Sequence, residues 1–279
     1  MLSTNIAIFA LHMKRSIIII LAMILSAATA LAQYRTVTDI PYVTTGNDYA
    51  LERCKLDVHY SPELKDAPVV VWFHGGGIEK GSKHIDAALR ESGYVVIAVN
   101  YRLLPKASMD EILDDTAAAV AWAFKHCKEY GGDPNKIFLS GHSAGGYLID
   151  MVGLDKKWLG KYGVDPDDVA AYVPFSGQVL THYNLRKQKG IGPLQPVIDE
   201  YAPLAHVRPG LPPFVIVSGD RELELYGRYE EQAYFYRLLK LVGNENVTLY
   251  EMQGYDHGSM AQPAYHILKQ TIKAVCKGK

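Results

Sequence analysis

Gly141-His142-Ser143-Ala144-Gly145 places a serine between two glycines, directly after the apolar run Ile137-Phe138-Leu139 and before a helix-compatible stretch from Tyr147. A G-x-S-x-G between strand and helix lifts the serine hydroxyl onto a sharp, strained turn, where it can serve as a nucleophile. Side chains at 141 and 145 would collide with the flanking elements, which is why glycine is needed there. The helix start aims backbone N–H groups at negative charge developing next to Ser143, and the N–H of Ala144 is one such donor. A second glycine cluster, His74-Gly75-Gly76-Gly77, closes the apolar run Val69-Val70-Val71-Trp72-Phe73. Three glycines let the backbone turn its N–H groups inward as donors to an oxyanion, and His74 suits fixing that loop better than acting as a base. No Lys-Ser/Thr follows, so a phosphate-binding P-loop is excluded.

A serine nucleophile needs a base, and the base needs an acid. In the chain order serine, acid, histidine, the candidates for the base are His182, His206, His257 and His266. His257 lies in Gly254-Tyr255-Asp256-His257-Gly258, after a strand-like run (Val247 to Met252) and before the last helical stretch, where a loop can swing back over the serine. The acid should leave the strand Phe214 to Val217, whose end reads Ser218-Gly219-Asp220-Arg221-Glu222-Leu223-Glu224. Asp220, Glu222 and Glu224 compete. Asp220 directly follows Gly219 and suits a turn, whereas Glu222 stands farther out and is favoured as the carboxylate that orients His257.

The elements that must hold these residues are legible as an alternation. Buried strand-like runs recur at Val69 to Phe73, Tyr94 to Val99, Ile137 to Leu139, Ala170 to Val173 and Phe214 to Val217. Between or after them, Asp110 to Tyr130, Tyr226 to Leu241 and Pro263 to Val275 carry apolar residues at helical spacing. Such a chain builds an α/β fold with a doubly wound, mostly parallel sheet, and ligands of such sheets sit beyond the carboxyl ends of the strands. Residues 34–66 mix β-prone pieces with a turn at Thr44-Thr45-Gly46-Asn47-Asp48. A Pro- and Gly-rich stretch of about 178–213 interrupts the alternation. Its His182, Tyr183, Tyr201 and His206 suit a small cap over a site, and an ordinary surface loop with a short helix is the alternative.

Composition narrows the field. The 279 residues are 48% hydrophobic and 21% charged with a formal net charge of −1, so no global field draws DNA, RNA or anionic lipid. Lys14-Arg15, the apolar Ile17 to Leu25 and Ala30-Leu31-Ala32 form a basic, an apolar and a small-x-small segment. The expected reading is a signal peptide over 1–32 cut after Ala32, with residues 1–12 upstream of a second start at Met13. The apolar run is short of the roughly 20 residues that span a bilayer, so no stable membrane anchor is expected and the mature protein is secreted or periplasmic. Residues 33–279 then form a single domain. Cys54, Cys127 and Cys276 fit neither a disulfide framework nor a zinc pattern.

Together these residues resemble the hormone-sensitive-lipase-like carboxylesterases and related secreted carbohydrate (acetyl xylan or feruloyl) esterases of the α/β-hydrolase superfamily. The likeness runs from about Pro68 to the C-terminus and includes Asn100-Tyr101-Arg102-Leu103 and Tyr130-Gly131-Gly132-Asp133-Pro134. The resemblance implies that Gly76, Gly77 and Ala144 are the oxyanion donors, and that the acid is Glu222, three residues after Gly219. Two departures stand out: the acid of such families is more commonly Asp, and Ile78 occupies a position that is often aromatic. The reading implied is a serine hydrolase of carboxylic esters that works through an acyl-enzyme on Ser143, with esters on polysaccharide as substrates and no metal or organic cofactor. A serine peptidase of the prolyl-oligopeptidase type and a catalytically inactive hydrolase-fold binding module are the alternatives.

Overall fold

Strand β3 (Ala67–Phe73) explains the architecture in miniature, because its residues alternate between two cores. Val69, Val71 and Phe73 face one apolar cluster; Val70 and Trp72 face another, and none is more than 2% exposed. Both faces are therefore covered, as the continuous apolar run required. At about 1.5–3 kcal/mol for each buried Val or Phe side chain, this strand is a principal source of stability. The same alternation recurs in β4 (Val95–Val99) and β7 (Phe214–Gly219).

The computed structural model describes residues 34–278. The expected signal peptide over 1–32 lies outside these residues. From Arg35 the chain forms one compact unit around an eight-stranded sheet of order β1-β2-β4-β3-β5-β6-β7-β8. The remaining strands are β1 (Arg35–Pro41), β2 (Lys55–Tyr60), β5 (Gly132–His142), β6 (Ala171–Phe175) and β8 (Val247–Met252). β1 and β2 pair antiparallel, as do β2 and β4; every pairing from β4 through β8 is parallel. The helices Met109–His126, Ala144–Leu154 and Arg228–Leu241 pack on the first core, and Ala261–Lys277 packs on the second.

Local chemistry sets the helix boundaries. Ser108 and Glu111 form a reciprocal capping box at the start of Met109–His126, satisfying two orphan N–H groups. Asn47, read from sequence as part of a turn, caps an additional short helix, Asp48–Arg53, by accepting from the Ala50 N–H. Within the 178–213 stretch the chain forms the short helix Tyr183–Gln188 and a 3₁₀ turn at Pro203–His206. Cys54 and Cys127 are buried and Cys276 is partly exposed. Among the described residues no helix is long and apolar enough to cross a membrane.

Candidate active site

The carboxyl ends of β3 and β5 lie side by side, Phe73 in register with Gly141, so the two glycine-rich loops leave the sheet together. At Ser143 the chain turns with φ 54° and ψ −112°, a conformation that costs a non-glycine residue energy and that surrounding structure must enforce. The Ser143 N–H donates to the Phe175 carbonyl at 2.8 Å, and the Tyr147 N–H closes onto Ser143 O at 3.0 Å. Gly145 is required by close approach: a Cβ there would sit 2.0 Å from the Phe73 carbonyl oxygen. Backbone hydrogen bonds and close approach to the sheet thus hold the serine on a turn that the helix Ala144–Leu154 immediately follows.

The His74–Gly77 loop is tied down from several sides. Tyr101 stacks on the His74 ring, centroids 4.4 Å apart, and its hydroxyl donates to the His74 carbonyl at 2.7 Å. Tyr101 is held in turn because Arg102 forks onto buried Asp115, Nε to Oδ2 at 2.8 Å and Nη2 to Oδ1 at 2.7 Å. This is the structural use of Asn100-Tyr101-Arg102-Leu103. Arg53 adds bonds to the carbonyls of Tyr101 and Gly81. Burial lowers the His74 imidazole to about 4, so it is a neutral structural group at neutral pH. Gly76 takes φ 117°, which only glycine adopts readily. Among the described residues the N–H groups of Gly76, Gly77 and Ala144 carry no hydrogen bond to the protein. A Cβ built on Gly75 would lie 3.4 Å from Ser143 Cβ, so this loop borders the serine.

His257 comes over the elbow from the loop after β8. Its Nε2 is 2.9 Å from Ser143 Oγ, and its carbonyl accepts from His142 Nε2 at 2.7 Å. Burial, with the nearby His257 charge, lowers His142 to about 4, so it too is neutral and serves as a strut. Of the other histidines, His182 caps the helix Tyr183–Gln188 from a buried position. His206 bonds the Glu200 carbonyl, and His266 bonds Gln270 on the last helix.

The carboxylate that meets His257 belongs to Glu224, which corrects the expectation of Glu222. Glu224 Oε2 lies 2.8 Å from His257 Nδ1, and the Glu224 side chain is 1% exposed. Glu222 is exposed. The reason is local. Asp220 accepts from the Glu222 N–H at 2.9 Å and the Gly254 N–H at 2.7 Å, and its carbonyl accepts from the N–H groups of Leu223 and Glu224. The chain therefore curls through one helical turn after β7, throwing Glu222 outward and bringing Glu224 back beneath the histidine. Burial alone would raise the Glu224 carboxyl. Its bonds to His257, Ser176 and the Gly219 N–H outweigh that and bring it down to about 2.

Ser176, at the end of β6, went unnoticed in the sequence. Its hydroxyl is 2.6 Å from Glu224 Oε1 and 3.0 Å from His257 Nδ1. No spacing marks it, since a Ser-Gly after a strand is common in loops. The 178–213 stretch touches the site through Asn184, whose Nδ2 donates to the Gly77 carbonyl at 2.6 Å. Tyr183 of the same helix packs against Gly77 and edge-on to Tyr226, ring centroids 5.8 Å apart.

A family model described as BD-FAE matches residues 56–225, which span the glycine loop, Ser143, Ser176 and Glu224. The chain belongs to the BD-FAE family. Among curated relatives, a protein named probable carboxylic ester hydrolase LipM of Mycobacterium tuberculosis is 30% identical over 190 residues, 59% of this chain and 44% of that protein. The chain spans about half the length, or less, of the curated relatives it matches. Among solved structures, a truncated carbohydrate esterase from gut microbiota superposes with a TM-score of 0.69 at 17% identity, covering 86% of this chain and 96% of the other. Esterase 2 of Thermogutta terrifontis, phosphoramylated by tabun, gives 0.66 at 23% identity, with 86% and 94% covered. These likenesses establish the α/β-hydrolase fold for this BD-FAE member.

Proposed function

We propose that this BD-FAE chain is a serine carboxylesterase that works through an acyl-enzyme on Ser143. The observation that carries the reading is the continuous path from Ser143 Oγ to His257 Nε2 at 2.9 Å and from His257 Nδ1 to Glu224 Oε2 at 2.8 Å. A proton on Nδ1, directed at the ionised Glu224, leaves the Nε2 lone pair free to accept from the serine hydroxyl. As Ser143 Oγ attacks the ester carbonyl, His257 takes its proton and Glu224 stabilises the resulting imidazolium. The carbonyl oxygen becomes an oxyanion, and the N–H groups of Gly76, Gly77 and Ala144 are assigned to it. Each such donor contributes on the order of 10²–10³ in rate in comparable sites. His257 then protonates the departing alkoxide. In the second half it removes a proton from water, the hydroxide attacks the acyl carbon, and Ser143 recovers its proton.

The finer reading is a secreted or periplasmic enzyme acting on esters carried by polysaccharide. It is supported by the basic, apolar and small-x-small succession of residues 14–32 and by the carbohydrate esterase among the structural neighbours. A fluorophosphonate probe should label the wild type and leave Ser143→Ala unlabelled; an unlabelled wild type would sink the serine mechanism. For the substrate, the protein should release acetate or ferulate from acylated xylan. Cleavage of short p-nitrophenyl esters without such release would remove the polysaccharide assignment and keep the esterase.

A further inference from the structure

Ser176 is held with unusual firmness for a loop serine. Its φ of 48° is left-handed, a conformation that a non-glycine residue keeps only under constraint. Its N–H donates to the Val217 carbonyl at 2.7 Å, and its own carbonyl accepts from Nη1 of Arg228, itself 1% exposed. Backbone and buried guanidinium together aim one hydroxyl between the two groups on which the Ser143 chemistry depends. That hydroxyl has a single proton. Glu224, ionised, can only accept, so the 2.6 Å contact is Ser176 O–H donating to Oε1. The Ser176 oxygen is then free to accept part of the His257 Nδ1–H, 3.0 Å away, alongside Glu224 Oε2 at 2.8 Å. The result is a closed ring of three hydrogen bonds, and such rings strengthen one another in a site shielded from water.

We propose that Ser176 is a positioning residue of this site: its hydroxyl fixes the Glu224 carboxylate and thereby the ring orientation of His257. The inference rests on the serine-hydrolase reading given above. Glutamate has one more rotatable bond than aspartate, so its carboxylate has more orientations from which to miss the imidazole. Here both oxygens are saturated: Oε1 accepts from Ser176 and from the Gly219 N–H at 2.9 Å, and Oε2 from His257 and the Leu225 N–H at 3.1 Å. Of these four donors, Ser176 is the one side chain besides the base. The Gly219 and Leu225 amides belong to the loop that carries Glu224 and move with it. Ser176 ties the carboxylate to the neighbouring strand.

The test compares Ser176→Ala, Ser176→Gly and each combined with Glu224→Gln, using steady-state hydrolysis of p-nitrophenyl acetate. Glycine accepts the left-handed backbone without strain and lacks the hydroxyl, so it separates the side chain from the loop conformation. Both single variants should lower kcat about ten- to a hundredfold, the usual scale for a hydrogen bond to a charged group, with KM within about twofold. In the Glu224→Gln background either substitution should cost less than about twofold, because the hydroxyl acts through the carboxylate. Wild-type kcat in Ser176→Gly overturns the proposal, as does an undiminished cost in the Glu224→Gln background. Ser143→Ala keeps the two readings apart: if it still hydrolyses the ester at the wild-type rate, the hydrolase mechanism itself falls. If it is dead while Ser176→Gly is fully active, only the role of Ser176 falls.

Discussion

Two loops meet at His257, and they are built on different principles. The elbow at 141–145 is constrained by steric contact. Gly141 and Gly145 lie so close to each other and to the Phe73 carbonyl that a Cβ on either would meet heavy atoms at 2.8 Å or less. The acid loop at 220–226 is constrained by hydrogen bonds that begin at Asp220 and reach across to Gly254 and Tyr255. Steric requirements exclude residue types and so write themselves into the sequence. Hydrogen-bonded curling excludes almost nothing, because several acidic residues in a row satisfy the same composition while only one of them ends up facing inward.

The sharpest way to break that contrast is at the acid. Glu224→Gln should lower kcat by about 10³–10⁴, as loss of the orienting carboxylate favours the wrong imidazole tautomer. Glu222→Gln should stay within about twofold, because Glu222 points to solvent. Measured side by side on a p-nitrophenyl ester, the reverse ranking would show that the loop curls differently from the structure described above.

At the elbow the corresponding test is Gly145→Ala. The added methyl must displace the Phe73 carbonyl, at the end of a strand buried on both faces. Overpacking of that kind costs about 1–3 kcal/mol or more in stability. Since the carbonyl shift also moves the adjacent glycine loop, kcat/KM should fall by at least about a hundredfold. A variant with unchanged melting temperature and unchanged kcat/KM would mean that the elbow is slack. Asp220→Ala should have a smaller effect. It removes acceptors from two backbone N–H groups in exposed positions, with a small loss of stability and a few-fold loss in kcat expected. Equal loss in Asp220→Asn and Asp220→Ala would point to the carboxylate charge, whereas rescue by Asn would assign the effect to turn geometry.

Much of the fold was legible for the same steric and hydrophobic reasons. The apolar runs at Val69–Phe73 and Phe214–Val217 became strands buried on both faces because short, unbroken β-branched and aromatic sequence suits a strand covered on both sides. Ser143 and His257 were readable because glycines and chain order frame them. Ser176, Asn184 and the Arg102–Asp115 fork were not readable as site components. Their contacts join residues 13 to 107 positions apart, and no local pattern encodes such pairs.

The mildest test uses pH to compare the two loops in the folded protein. Glu224 sits at about 2, below its ordinary value of 4.5, so the unfolded chain binds its proton first. Its contribution to stability is present in full above about 4.5 and is lost as pH falls through 2. His142 and His74, on the elbow side, behave at higher pH. Burial lowers both from 6.5 to about 4, so the unfolded chain again takes up protons first, and stability declines as pH falls between those values. Thermal unfolding followed from pH 8 to pH 2 should therefore weaken in two stages. Glu224→Gln should shrink the lower decline and leave the upper one, while His142→Asn should shrink the upper decline without abolishing it, because buried His74 and His182 contribute there too. A single stage, or loss of both in Glu224→Gln, would mean that the two loops titrate as one unit rather than as the separately built halves described above.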